Sequence, residues 1–371
     1  MKKTFIKLII LFSAVFIFFS CNDPIFFIVS EEIPILKPFI DGSPGNFAVL
    51  GDNMYVASGK NIFIYRKNTN KWADWKKLDD RVTGLAATSS SLYALYLNND
   101  SDDGRIRDCS SGSNLSLSNV QSIHASQDVL FACARDNNKY KIYFRKEGSS
   151  VFTVIPGASF DSMLSGSAFD GKYYYLCLNE GIYYAEKTQI DNPSTLTDKL
   201  PVLGKDNGFT GIIELEKNYV AAITNDGKLY EIKDADINEA AKFTDDRYST
   251  GALALWYRDN DATMPSLLLV GRKEMYYSTS SAYTNGYVEI TLDTNTGRIS
   301  GSGFSDPGKN ALSSIDNYDR YVSSLGKKPV NHIIQTPKKI DPKMTLFAST
   351  QQDGVWSYKD RGKGEQWNAE E

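Results

Sequence analysis

The chain has 371 residues, 42% of them hydrophobic and 12% aromatic, with a formal charge of −4. That apolar fraction can fill a sizeable core, and 22 Tyr with 19 Phe lean towards strands, where such side chains suit a pleated, half-buried surface. The acidic balance excludes nucleic-acid binding, which needs a basic footprint to displace counterions, and four Cys without a CxxC spacing exclude a zinc ribbon or finger.

Residues 1–20 read MKKTFIKLIILFSAVFIFFS, with a basic start (Lys2, Lys3, Lys7) and an apolar run over residues 8–19. This is the pattern of a secretory signal peptide; the run is marginal for a membrane span, and no stop-transfer charges follow it. The FFSC segment ending at Cys21 resembles the lipobox of bacterial lipoproteins, usually Leu, two small residues and Cys. Ser20 and Cys21 match that form; Phe18 and Phe19 depart from it, as in the relaxed lipoboxes of spirochaetes and some Bacteroidetes. The resemblance implies cleavage before Cys21, lipidation of that residue, export, and a body membrane-anchored in the periplasm or on the cell surface. Stable anchoring then takes two or more acyl chains. An uncleaved N-terminal anchor helix is the alternative, and it also places the body outside the cytoplasm. Residues 21–45 form the anchor or tether segment.

Over residues 46–371 a pattern of about 40 residues recurs seven times, in segments 47–78, 82–109, 120–146, 163–187, 209–233, 249–280 and 330–360. Repetition of strands at this period predicts an all-β fold, a seven-bladed β-propeller. Each first strand opens on small residues (Thr83-Gly84, Ser165-Gly166, Thr210-Gly211, Thr250-Gly251), which would let blades converge on an axis. Second strands are apolar: MYVAS, LYALY, VLFAC, YYLCL, YVAAI, LLLVG and TLFAS. Third strands (NIFIY, KIYF, GIYYA, KLYEI, EMYYS, GVWSY) alternate, as strands with one buried face do. Fourth strands are polar, as outer edges should be. The apolar IFFIV and IPILKPFI of the tether are too hydrophobic for a free linker and are expected to pack down by adding a strand to the first or last blade.

One insertion, residues 299–329, separates blades 6 and 7. Leu312, Ile315, Tyr318, Val322 and Leu325 recur at helical spacing and Gly326 is a C-cap, so residues 310–326 are predicted to be a helix. The repeats lack the Gly-His to Trp-Asp pairing of WD repeats and the double Gly of kelch repeats. Residues 349–356 are slightly similar to a sialidase Asp box, occurring once and with different spacing. Taken with FFSC, the repeats resemble those of spirochaete propeller lipoproteins, which implies anchoring and says nothing of chemistry.

Candidate chemistry is sparse. His124 and His332 fall on the innermost strands of repeats three and seven, two residues out of register, and two separated imidazoles do not make a metal site. No GxSxG elbow exists. Cys133 and Cys177 occupy matching places in adjacent repeats and read as small buried residues; Cys109 is the odd one left over. Asn99, Ser101 and Asp103 carry oxygens at alternate positions before Gly104, like the front of a calcium loop, but Ser110 stands where the bidentate Glu belongs; a solvated acidic turn is the competing reading. No other cofactor is implied. The turns between second and third strands should share one face of the disc, and Arg135, Asp136, Asn179, Glu180, Asn225, Asp226, Arg272, Gln352 and Asp353 would line it. Varied loops on a rigid scaffold suit recognition. The expectation is a lipid-anchored, non-enzymatic propeller that binds or scaffolds a protein or glycan, envelope assembly being one version by analogy. The rival is a carbohydrate-active hydrolase or lyase with two carboxylates at the channel mouth; an inert surface coat is a third reading.

Overall fold

A computed structural model describes residues 38–67, 69–97, 103–157, 159–196, 200–204, 208–242, 250–257, 267–272, 287–293, 295–300, 325, 329–360 and 365–370. Seven antiparallel sheets follow one another along the chain, each with its strands in sequence order. They span residues 47–77, 81–108, 120–154, 164–203, 209–242, 250–291 and 330–369. The protein is a seven-bladed β-propeller. Blades 2 and 6 have three described strands and the others four. In blade 2 the outer position is taken by an irregular stretch, where Leu115 N–H donates to the Ile106 carbonyl at 2.8 Å.

The first strand of every blade is innermost, and its small residues do what crowding requires. A Cβ at Gly166 would lie 2.7 Å from Ile212 of the next blade. A second device was not visible in the sequence. The innermost strands of blades 2 to 7 all shift register near their start. Such a bulge leaves one residue unpaired and strips a ladder bond from the partner strand. Polar side chains at the bulge replace it: Ser165 Oγ donates to the Cys177 carbonyl at 3.0 Å, Thr210 Oγ1 to Ile223 at 3.4 Å, Thr83 Oγ1 to Leu95 at 3.4 Å and Asn331 Nδ2 to Thr350 at 3.2 Å. The recurrent Thr/Ser-Gly pair thus serves the bulge as well as the convergence.

The core is divided into seven clusters, one in each seam between neighbouring blades. Between blades 7 and 1, for example, Phe347 and Val355 pack on Phe47, Met54 and Trp72. Because each sheet is covered on both faces, its second strand is buried throughout, as in residues 54–57 and 129–134. The same holds for third strands in blades 1 and 5, where residues 62–65 and 229–232 are wholly buried. The expected alternation is replaced there by two-sided burial; it survives in Lys139–Lys146 of blade 3. The outer strands Trp72–Lys77 and Asp236–Lys242 are the more open ones, with three of six and four of seven residues exposed. A single blade leaves both apolar faces in water, so stability belongs to neighbours together.

Tyrosine hydroxyls tie seams that apolar packing alone would leave with unmet polar groups. Trp367 Nε1 of blade 7 donates to Tyr287 Oη of blade 6 at 3.0 Å, and that hydroxyl donates on to the buried Glu289 at 3.3 Å. Tyr65 of blade 1 reaches Asp341 of blade 7 at 3.4 Å. Tyr287→Phe should cost about 2 kcal/mol in chemical denaturation, because it takes the acceptor from a buried indole N–H and a donor from a buried carboxylate together; a loss under 0.5 kcal/mol, roughly the effect of an ordinary surface change, would mean the chain is not stabilising.

The ring is closed from the N-terminal side. Phe39 N–H donates to the Glu370 carbonyl at 2.6 Å, Val355 N–H to Ile40 at 3.1 Å and Gly354 N–H to Gly42 at 2.9 Å. Ile40 is fully buried in the blade 7–blade 1 core. The chain therefore crosses blade 7 before entering blade 1.

The structure departs from the sequence pattern in blade 6 and adds a short helix in blade 4. Blade 6 departs from the predicted pairing: its third strand is Tyr287–Thr291, paired directly with Leu267–Arg272, whereas EMYYS at residues 274–278 lies outside the described residues. Residues 310–326, predicted as a helix, lie outside them too except for Leu325, which is buried between blades 6 and 7. The sequence reading missed a one-turn helix, Lys187–Asp191, after the third strand of blade 4, anchored by buried Ile190. Five residues carry too little periodicity to be recognised.

Candidate functional site

The innermost strands enclose an axial cavity of about 910 Å³. Its wall is made of hydroxyls, amides, imidazoles and small apolar groups, and its charged residues are Arg81 and Glu214. Both histidines are on this wall, and the structure explains their offset. Ser122 and His332 each follow the bulge of their strand, and His124 lies two residues beyond. His124 Nε2 lies 3.1 Å from the Leu164 carbonyl, which also accepts Ser122 Oγ at 2.7 Å, linking blades 3 and 4. His332 Nδ1 accepts the Phe47 N–H at 3.4 Å, linking blades 7 and 1. An accepting Nδ1 is unprotonated, and burial, helped by the charge of His124, pushes the imidazole down to about 4.

Glu214 is the one carboxylate among the described residues lining the channel. It accepts Ser126 Oγ at 2.5 Å, the Phe169 N–H at 3.0 Å and Gln127 Nε2 at 3.3 Å. Those partners come from blades 3 and 4 while Glu214 comes from blade 5, so the carboxylate stitches three blades. Retaining or inverting glycoside hydrolysis needs two carboxylates facing one another across the bond. The described channel wall offers one, and its oxygens are occupied.

Among the described residues, the turns at Arg135, Asn179 and Gln351 lie beside the blade-to-blade linkers, on the upper face. Gly208 N–H donates to the Asn179 carbonyl at 2.6 Å, Arg135 N–H to Asn119 at 2.8 Å and Gln351 N–H to Pro329 at 3.1 Å. Several of the side chains expected to line this face are spent on neighbouring groups. Asp136 pairs with Lys141 at 2.7 Å, Glu180 accepts Ser162 Oγ at 2.9 Å and the Asp161 N–H at 3.1 Å, and Asp226 accepts Thr224 Oγ1. The Asp353 carbonyl takes Trp356 Nε1 at 2.9 Å, which accounts for the Asp-box-like string as a hydrogen-bonded turn. Arg135, Asn179, Asn225 and Gln352 are exposed. The side chain of Arg272 lies outside the described residues, as do Asn99 and Ser101. Asp103 accepts the Asn119 N–H at 2.6 Å and pairs with Arg105 at 3.5 Å, so it is engaged as a strut between blades 2 and 3.

Cys109, Cys133 and Cys177 are free and buried. Burial pushes the thiols of Cys109 and Cys133 up to about 11, away from nucleophilic reactivity. The sequence reading missed a cleft on the opposite, lower face, where Tyr219, Lys233 and Arg298 converge. Those residues belong to two blades and no motif links them.

Comparison with known proteins gives the fold and stops there. No protein-family model matches, and no curated protein matches. Among solved structures, a chain of "Crystal Structure of Mitotic Checkpoint Complex" aligns at TM-score 0.55 and 11% identity over 88% of this chain and 94% of that one. "YCF48 bound to D1 peptide" aligns at TM-score 0.54 and 10% identity over 89% and 96%. The β-propeller domain of Myceliophteria thermophila Cps50 (Swd1) aligns at 0.53 and 11% over 88% and 100%. The shared property is the propeller scaffold itself.

Proposed function

We infer that the protein is a non-enzymatic binding scaffold, a propeller lipid-anchored through Cys21 at the cell envelope, that presents its upper face to a protein partner. The observation that carries this reading is where the polar groups are spent. The described channel residues stitch blades together and assemble no catalytic set, whereas Arg135, Asn179, Asn225 and Gln352 stand exposed on one face of four different blades. Rigid blades with differing exposed turns suit recognition of a macromolecular surface. Two propellers of the same fold are described in complexes, one a checkpoint complex and one with a peptide. The signal and FFSC segment support anchoring and export; among the described residues no helix is long and apolar enough to cross a membrane.

The test is capture from native membranes with the full-length protein. A discrete protein should co-purify, and the combined variant Arg135→Glu, Asn179→Ala, Asn225→Ala, Gln352→Ala should lose it with an unchanged unfolding midpoint. Cys21→Ser should move the protein out of the membrane fraction. Undiminished capture by the combined variant would remove the upper face from consideration. Cleavage of a glycan panel with nothing captured would overturn the scaffold reading.

A further inference from the structure

A cleft of about 340 Å³ opens on the lower face between blades 5 and 6, lined among others by Tyr219, Glu231, Lys233, Asp236, Asn238 and Arg298. Blade 5 supplies all of these except Arg298, which comes from the turn after the third strand of blade 6. Glu231 is 5% exposed on its side chain. Its Oε2 accepts Arg298 Nε at 3.0 Å and Nη2 at 2.7 Å, and its Oε1 accepts the Ile299 N–H at 2.6 Å. With both oxygens occupied, this carboxylate fixes the plane of the guanidinium and has little left for a ligand. Arginine has five N–H donors; the three that Glu231 does not take find no partner among the described residues, and the Arg298 side chain is 50% exposed.

A second cation converges on the same place. Lys233 Nζ lies 4.3 Å from the centre of the Tyr219 ring, and Arg298 Cζ lies 5.2 Å from it. Lys233 makes no ion pair among the described residues. Two positive groups around one ring repel each other. The ring's π face softens this and Glu231 answers one charge; Asp234 and Asp236 also line the cleft but make no ion pair with Lys233 or Arg298 among the described residues, so an anion seated between the two cations meets both directly.

The backbone holds the arrangement at a cost. Lys217 and Asn218, just before Tyr219, have φ of 55° and 64°, and Asp234 and Ala235, just after Lys233, have φ of 50° and 61°. Left-handed conformations disfavour residues with a Cβ. They persist because neighbouring blades over-determine them: the Asp234 N–H donates to Asp170 Oδ2 and the Ala235 N–H to Tyr175 Oη, both at 3.0 Å and both in blade 4. Lys217 Nζ donates to the Asn295 carbonyl in blade 6. Three blades therefore set the positions of Tyr219 and Lys233, as pre-organised recognition requires.

The surroundings select the anion. Asp234 and Asp236 are exposed at the rim, where they would repel a phosphate dianion yet can accept hydroxyl protons. The volume suits a ligand of monosaccharide size. We propose that this cleft binds a sugar acid, its carboxylate on Arg298 and Lys233 and its hydroxyls on Asp236 and Asn238. This site lies on the face opposite the partner-binding loops and does not depend on them.

Glucuronate titrated into the full-length protein by calorimetry should bind saturably, with glucose at least about tenfold weaker for want of the charge-assisted bonds. Phosphate should bind no tighter than glucuronate. Lys233→Met should weaken glucuronate about tenfold without moving the unfolding midpoint. Lys233→Met is the deciding variant because Arg298→Gln leaves Glu231 buried without its partner and can unfold the seam. Absence of saturable glucuronate binding, equal binding of glucose, tighter binding of phosphate, or unchanged affinity in folded Lys233→Met would each overturn the proposal. Capture at the upper face would be untouched by any of these results.

Discussion

Gly354→Val lowers the free energy of unfolding by about 4 kcal/mol. Gly354 sits at φ +75°, and a Cβ there would come within 2.2 Å of the Ile40 carbonyl and 2.6 Å of the Pro38 ring. Both belong to the segment that crosses blade 7 and closes the ring. The methyl groups cannot be absorbed by rotating a flexible side chain, since the nearest obstacle is backbone. The substitution therefore strains residue 354 and lifts residues 38–42 from the seam, exposing Ile40 and uncovering the Phe47, Met54 and Val355 cluster. Urea denaturation measures the loss. Gly59→Ala is a control of similar φ with nothing within 4 Å of the added carbon, and it should cost about 1 kcal/mol. A cycle with a variant lacking residues 1–42 separates the two causes. In that background Gly354→Val should cost little more than the control, because the segment it collides with is gone. A cost of about 4 kcal/mol in both backgrounds would show that the N-terminal segment does not close the ring.

Acid weakens the same seam. The imidazole of His332 falls from an ordinary value of 6.5 to about 4 in the folded protein. Because its folded value lies below its unfolded value, the unfolded chain binds the extra proton first as pH drops. His332 thus costs no stability above pH 6.5, and stability is lost progressively between about pH 6.5 and pH 4. The span corresponds to at most about 3 kcal/mol at 1.36 kcal/mol per unit. The structural reason is specific: protonated Nδ1 can no longer accept the Phe47 N–H, and a charge appears on a group that burial keeps from water. Carboxylates also titrate near the bottom of this window, so the informative quantity is the difference between the wild type and His332→Asn. Unfolding measured from pH 7 to pH 4 should show a shallower decline in the variant. Parallel declines would mean that His332 is already charged in the folded ring or indifferent to it.

Much of the fold was legible because a propeller repeats its constraints. Strings such as VLFAC and YYLCL are buried on both faces whatever the details of the next blade, and the Thr/Ser-Gly pairs recur because every innermost strand meets the same crowding. Legibility failed where a segment answers to another blade rather than to its own. The third strand of blade 6 was misplaced because EMYYS and GYVEI are equally apt strands locally, and pairing with Leu267–Arg272 chose the later one. The buried third strands of blades 1 and 5 lost their alternation to packing from both sides. For the candidate face, the sequence could place the turns on one side of the disc but could not tell Glu180, which is tied to the linker at Asp161 and Ser162, or Asp226, which serves its own turn, from Asn179 and Asn225, which are exposed.

By itself the sequence determined the repeat, the number of blades and the innermost small residues, because each of these is written in residues close together along the chain. Tertiary structure alone decided which polar side chains are spent and which are left over. His332 and Phe47 lie 285 residues apart, and Glu231 and Arg298 lie 67 apart. Such pairs leave no local pattern, because hydrogen bonding and charge depend on distance in space and a closed ring brings its two ends together.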